Sequence, residues 1–140
     1  MKIPDWLPCY GNMNYRGDCP KEDLEQITFF SKLRRDYPDS LGVLALHPKN
    51  EGKRRGKGFA ALDKDKAMGL APGAADIIIP SSPAFVCELK RKDHTKSSWQ
   101  PGQLRYLEAA QQQGAFVCVA LGWEAAWHAL KEWQRVCEVK

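Results

Sequence analysis

A mixed α/β domain, with a central sheet flanked by helices, is what this sequence predicts, and three observations carry it. Ile77–Ile79 and Ala84–Leu89 are short apolar runs parted by Pro80-Ser81-Ser82-Pro83, the pattern of a hairpin. Ala115 to Leu121 is a continuous apolar run, the kind a strand shows when both faces are buried. Between them a helical stretch from about Trp99 to Gln113 supplies the crossover that a parallel pairing needs. At 140 residues the chain is expected to be one domain with a core that needs no disulfide staples.

The remaining elements follow in order. Residues 1–19 carry Pro, Gly, Asn and aromatics without periodicity and read as an N-terminal arm, leaving 20–140 as the domain. Trp6, Leu7 and Tyr10 are expected to pack on the domain or on a partner. A helix runs from Pro20 to about Asp36, because Pro near the first turn and the acidic Glu22, Asp23 and Glu25 suit a helix start. Leu24, Ile27, Phe30 and Leu33, with Phe29, mark its expected buried stripe. Tyr37-Pro38 ends it, and Leu41 to His47 reads as a first strand. A basic, Gly-rich loop follows, then a short helix over Phe59 to Met68 closed by Gly69. The turn Gly69 to Gly73 leads into the hairpin. Ser97 or Ser98 is placed to cap the Trp99–Gln113 helix, with Pro101 tolerated in its first turn. Gly114 is its expected left-handed stop. Gly122 turns into a final helix whose Trp123, Trp127, Leu130 and Trp133 recur near the helical period. That spacing marks one helix face, hence core or a dimer surface rather than a base-stacking platform.

Composition excludes several classes. No stretch of about 18 apolar residues exists, so no membrane span is expected. The first twenty residues lack the continuous apolar region of a secretory signal, which points to a cytoplasmic protein. Five cysteines with no C-x-x-C pair are expected to stay as reduced thiols, Cys87 and Cys118 as small buried hydrophobes, and no zinc site is expected. The net charge of +4 is modest but uneven. Lys49, Lys53, Arg54, Arg55 and Lys57 crowd one loop against Glu51 alone. Lys90, Arg91, Lys92, His94 and Lys96 form a second group. Each could be a solvated loop, but together, beside an acidic pair, they suit a polyanion.

The acidic pair lies in the hairpin. Strand residues alternate faces, so Glu88 and Lys90 share a face and Leu89 takes the other. With a loop centred on Ser82, Asp76 falls directly across from Glu88, placing two carboxylates and one ammonium at the hairpin tip. Close carboxylates raise each other's pKa unless a cation lies between them, and an oxygen-seeking Mg²⁺ (or Mn²⁺) is the natural choice. The pattern D-x11-E-x-K suits phosphodiester hydrolysis. Carboxylates hold metal that polarises the phosphate and lowers the pKa of a water, and a lysine orients that water or offsets developing charge. Standing alone, the same pattern also describes a solvated strand end with a salt bridge.

Further residues tie the hairpin to a family. The G-x-x-D turn at Gly73–Asp76, the E-x-K strand, Gln103 on the following helix and the strand after Gly114 resemble the PD-(D/E)xK nuclease superfamily. More narrowly they resemble its virus-type replication-repair nuclease (VRR-NUC) domains, found in phages, prophages and a Fanconi-associated repair nuclease. His47-Pro-Lys-Asn-Glu-Gly-Lys-Arg54 and Lys66-Ala-Met-Gly69 share in the likeness, which spans about residues 20–134. The resemblance implies an αβββαβ core. It implies that Asp76 and Glu88 are metal ligands, Lys90 the catalytic lysine and Gln103 a site residue. A first-helix glutamate, Glu22 or else Glu25, would complete the catalytic and metal-binding set, although an acidic first turn also suits the helix dipole. Ala75 departs from the proline that family members commonly carry before the aspartate, which loosens the turn but removes no functional group. His47 suits a structural or phosphate-contacting role better than that of a general base. With it, Asn50, Lys53, Arg54 and Arg55 read as DNA contacts. The function implied is a metal-dependent, structure-selective DNA endonuclease, a homodimer acting on branched DNA such as four-way junctions in repair or recombination. If phage or prophage encoded, it would work in a bacterial host's cytoplasm. The alternatives are a non-catalytic DNA-binding accessory on the same fold and a restriction-like nuclease reading a short sequence.

Overall fold

The computed structural model describes residues 1–48 and 59–140. Its sheet has the order β1-β4-β3-β2, formed by Cys9–Tyr10 (β1), Ile77–Ile79 (β2), Phe85–Lys90 (β3) and Phe116–Leu121 (β4). The hairpin strands β2 and β3 pair antiparallel, and β3 runs parallel to β4 with Cys87 beside Cys118. Helix α4, Gln103–Gln112, makes the expected crossover, and Gly114 adopts the expected left-handed turn at φ 92°. Helices Glu22–Asp36 (α1), Leu41–Leu44 (α2), Phe59–Ala67 (α3) and Trp123–Val136 (α5) complete the described fold. None of the described helices is long and apolar enough to cross a membrane.

Alternation along β3 and β4 divides the core. Cys87, Leu89, Cys118 and Ala120 face a layer containing Phe29 and Leu33 of α1 and Ala126, Leu130 and Trp133 of α5. Val86, Val117 and Val119 face Leu107 of α4, together with Leu7 and Ala75. Residues of both strands are thus buried on both sides, which is why their sequences read as unbroken apolar runs. Trp133 lies wholly inside and donates its indole N–H to Pro83 O at 2.9 Å, so the tryptophan face of α5 is core.

Four expectations change. Leu41–His47 is not a strand. It forms the short α2, followed by a single antiparallel bridge between Leu46 and Ile78. Gly42 lets α2 close on the end of α1, since a Cβ there would lie 2.5 Å from Tyr37 O. The first strand of the expected core is therefore reduced to one bridge. The arm in turn supplies a strand: β1 pairs parallel with β4 at the sheet edge, and Leu7 is buried on the domain. Two residues are too few for alternation to register in the sequence. Helix α1 is also turned from its expected face, with Leu24 and Ile27 57% and 64% exposed while Glu25, Phe29, Phe30 and Leu33 are buried. Finally, α4 begins at Gln103 rather than near Trp99, after a left-handed Gly102, with no serine cap.

Candidate active site

The β2–β3 register, Ile77 opposite Cys87 and Ile79 opposite Phe85, continues outward to set Asp76 across from Glu88. The backbone confirms it, since Asp76 Oδ2 accepts a 2.9 Å hydrogen bond from Leu89 N. The two carboxylates lie at the open end of the hairpin, opposite the Pro80–Pro83 loop, and not at its tip. The reason is arithmetic: a loop centred on Ser82 puts pairs six residues away on each side at the far end of both strands.

Lys90 is buried, and its ammonium donates to Ser98 O at 2.8 Å and Gln103 Oε1 at 2.9 Å. It also lies 5.0 Å from the centre of the Trp99 ring. Glu88 Oε1 and Glu22 Oε1 are each 4.0 Å from it, beyond hydrogen bonding but close enough for attraction, the more so for the buried Glu88. Gln103 joins the two functional groups: its Nε2 donates to Glu88 Oε1 at 3.0 Å while its Oε1 accepts from Lys90 and from Gln100 N. Glu88 is 1% exposed, and among the described residues its Oε2 receives no hydrogen-bond donor. Burial, then the adjacent charge of Asp76 and a hydrogen bond shared with its carboxylate, push the Glu88 carboxyl well above the usual range, and Lys90 only partly offsets them. Glu22 reaches the group from the first turn of α1, where Ser97 Oγ donates to its Oε1 at 3.0 Å. Burial raises its carboxyl too, against the pull of Lys90 and Ser97.

No protein-family model matches this sequence, and no curated protein matches it. Among solved structures, the chain is similar to one described as a "VRR_NUC domain protein", with a TM-score of 0.62 and 19% identity over 85% of this chain and 92% of that one. The fold is VRR-NUC-like.

On this VRR-NUC-like frame the sequence-derived residues separate clearly. Asp76, Glu88, Lys90, Gln103 and Glu22 converge. Glu25 does not: it is buried, and its Oε2 accepts from Trp123 N at the start of α5. That capping contact, with Phe29 against Trp127, sets the rotation of α1 that turns Glu22 toward Lys90. His47 stands beside the site, its Nδ1 2.8 Å from Asp76 O and 3.9 Å from Asp76 Oδ1. Asn50, Lys53, Arg54 and Arg55 lie outside the described residues.

Apart from Lys90, the second basic group is committed elsewhere. Arg91 donates to Cys19 O and Pro20 O, Lys96 donates to Gly17 O, and Lys92 sits over the Tyr15 ring. These side chains fasten the arm to the domain, which the sequence does not reveal because their acceptors are backbone carbonyls. Ser97 was also missed as a site residue. It donates to Glu22 and accepts from Arg91 N at 3.0 Å, roles unlike the helix cap its position suggests. Gly73 and Gly102 form the seam between the Asp76 turn and α4. Both have positive φ, and a Cβ on Gly73 would fall 2.2 Å from the Gly102 carbonyl carbon. Among the described residues no three of His, Cys, Asp and Glu are gathered closely enough to form a ready-made metal cage.

Proposed function

We propose that this protein is a metal-dependent, structure-selective DNA endonuclease that hydrolyses phosphodiester bonds in branched DNA such as four-way junctions. The observation that carries the reading is the unsatisfied, buried Oε2 of Glu88, set across from Asp76 and 4.0 Å, through its other oxygen, from the Lys90 ammonium. A buried carboxylate oxygen without a donor is costly, and a divalent cation is the partner that hard oxygen ligands fit. Asp76 and Glu88 would hold Mg²⁺ or Mn²⁺, with Glu22 as a further carboxylate reaching in from α1. The ion would polarise the phosphate and lower the pKa of an attacking water.

The chain's own groups do the rest. Gln103 fixes the Glu88 and Lys90 side chains relative to each other through one amide. An ammonium has three donors, and Ser98 O and Gln103 Oε1 take two. The third would orient water or stabilise charge developing on the phosphate. His47, joined to Asp76 through its carbonyl, offers a phosphate contact at the rim. A homodimer would present two such sites across a two-fold axis, as paired cuts in a symmetric junction require.

The test is cleavage of a labelled four-way junction, a flap and a linear duplex, each with and without Mg²⁺. Wild type is expected to cut branched DNA only with metal, and Asp76→Ala and Lys90→Ala are expected not to. Binding without cleavage of any substrate would leave a DNA-binding accessory instead, and variants as active as wild type would overturn the site.

A further inference from the structure

A groove of about 600 Å³ opens beside the candidate site, lined by Gln26, Ile27, Phe30, Ser31, Arg34 and His47. Its position follows from helix geometry. Glu22, Gln26, Phe30 and Arg34 recur every fourth residue, so they form a stripe that winds about 40° per step around α1. Glu22 stands near Lys90, and Arg34 lies twelve residues on, roughly 18 Å along the helix. His47 joins the groove to the site through its 2.8 Å contact with Asp76 O.

The lining has a mixed character that the proposed hydrolysis does not require. Ile27 is 64% exposed, and the Arg34 guanidinium lies over the Phe30 ring at 5.3 Å from its centre. Gln26 and Ser31 add neutral hydrogen-bonding groups beside them. A paired duplex stacks its base faces inside and presents phosphates outward. Phosphates pressed against Ile27 and Phe30 would lose water without gaining donors. An unpaired nucleotide fits better, because its base has a free face for the arginine–phenylalanine stack and for Ile27. Its phosphate would then meet the guanidinium edge of Arg34, the arginine among the described lining residues.

We infer that this α1 groove is a subsite for an unpaired nucleotide of the DNA strand flanking the scissile phosphate, with Ile27 and the Arg34–Phe30 stack holding its base. The inference rests on the nuclease reading and adds that, among branched substrates, those with unpaired nucleotides next to the cut are preferred. Ile27 and Arg34 are both exposed, so replacing them leaves the core untouched.

The experiment compares the full chain with Ile27→Asp and Arg34→Ala in EDTA, where binding is read without cleavage. The probes are fluorescent duplexes of one sequence, blunt or carrying a short 5′ or 3′ unpaired tail. Wild type is expected to prefer one tailed duplex to the blunt one. Each variant is expected to lose that preference, binding the tailed probe roughly tenfold or more weakly, with blunt-duplex affinity and melting temperature retained. Arg34→Ala should also reduce the salt slope of tailed binding by about one. No preference in wild type, an unchanged preference in both variants, or equal losses on blunt DNA would overturn the subsite. So would light scattering that shows Ile27→Asp splitting a dimer while tailed-DNA affinity is kept, since the groove would then face a second copy. Failure of wild type to cut any DNA with Mg²⁺ would instead overturn the nuclease reading, whatever the binding result.

Discussion

Glu88, within β3, and Asp93, three residues past the end of that strand, are both buried and are treated in opposite ways. Asp93 receives Thr95 Oγ1 at 2.6 Å, Gly17 N at 3.0 Å and Thr95 N at 3.1 Å. Those donors, the threonine hydroxyl first, hold its carboxyl at about 2, below the usual 3.8. Among the described residues Glu88 has one donor for one oxygen and none for the other, and burial pushes its carboxyl up. Asp93 is a finished structural joint that clamps the arm at Gly17. Glu88 lacks such a set of donors among the described residues. A protein tolerates a buried, under-satisfied carboxylate where some other molecule completes it.

The contrast can be broken most forcefully by activity. Glu88→Gln keeps the shape and the Gln103 contact but removes the charge. It should reduce metal-dependent cleavage at least about a hundredfold, since even outer partners of metal ligands cost ten- to a hundredfold. Gln103→Ala should cost somewhat less, within that range, because both groups it fixes remain. Single-turnover cleavage assays check both. If Glu88→Gln cuts normally, its unsatisfied oxygen has no catalytic meaning.

Stability should separate the two residues next. Glu88→Gln is expected to raise the melting temperature by a few degrees at neutral pH, because a buried charge that Lys90 only partly offsets is gone. Asp93→Asn is expected to lower it by a similar amount, because an amide cannot accept with both side-chain atoms. Thermal unfolding followed by circular dichroism reads both signs, and a shift in the same direction for both would remove the distinction.

The smallest effect is in the pH dependence. A carboxyl raised by folding, as in Glu88 and Glu22, binds its proton more tightly in the folded chain. Its stability is full below the ordinary carboxylate range and is lost as the pH rises through the raised value. Asp93 acts in reverse: its contribution is full above 3.8 and is lost as the pH falls toward about 2. Denaturant titrations across pH should therefore show Asp93→Asn flattening the acid limb and Glu88→Gln flattening the decline on the alkaline side of the carboxylate range.

The candidate site was legible because it is written in short spacings. A hairpin loop and a two-residue period are enough to set Asp76, Glu88 and Lys90, and Gln103 begins the next helix. What stayed hidden depends on contacts distant in the chain. The rotation of α1 follows from Glu25 meeting the start of α5, 98 residues away, and apolar periodicity alone favoured Leu24 and Ile27. The arm's strand is two residues long, and its clamp uses Arg91 and Lys96 against backbone oxygens that no composition reveals. Leu41–Leu44 reads as a strand from its apolar run, but Gly42 allows a close packing against α1 that a longer side chain would forbid.

The central claim, that Glu88 is completed by a divalent cation, is tested most directly by calorimetric titration of Mn²⁺ into the metal-free protein at neutral pH. Wild type should bind saturably, Asp93→Asn should bind like wild type while folded, and Glu88→Gln should lose at least about ten- to a hundredfold in affinity. Equal Mn²⁺ affinity in wild type and Glu88→Gln, or no saturable binding to wild type at all, would contradict it.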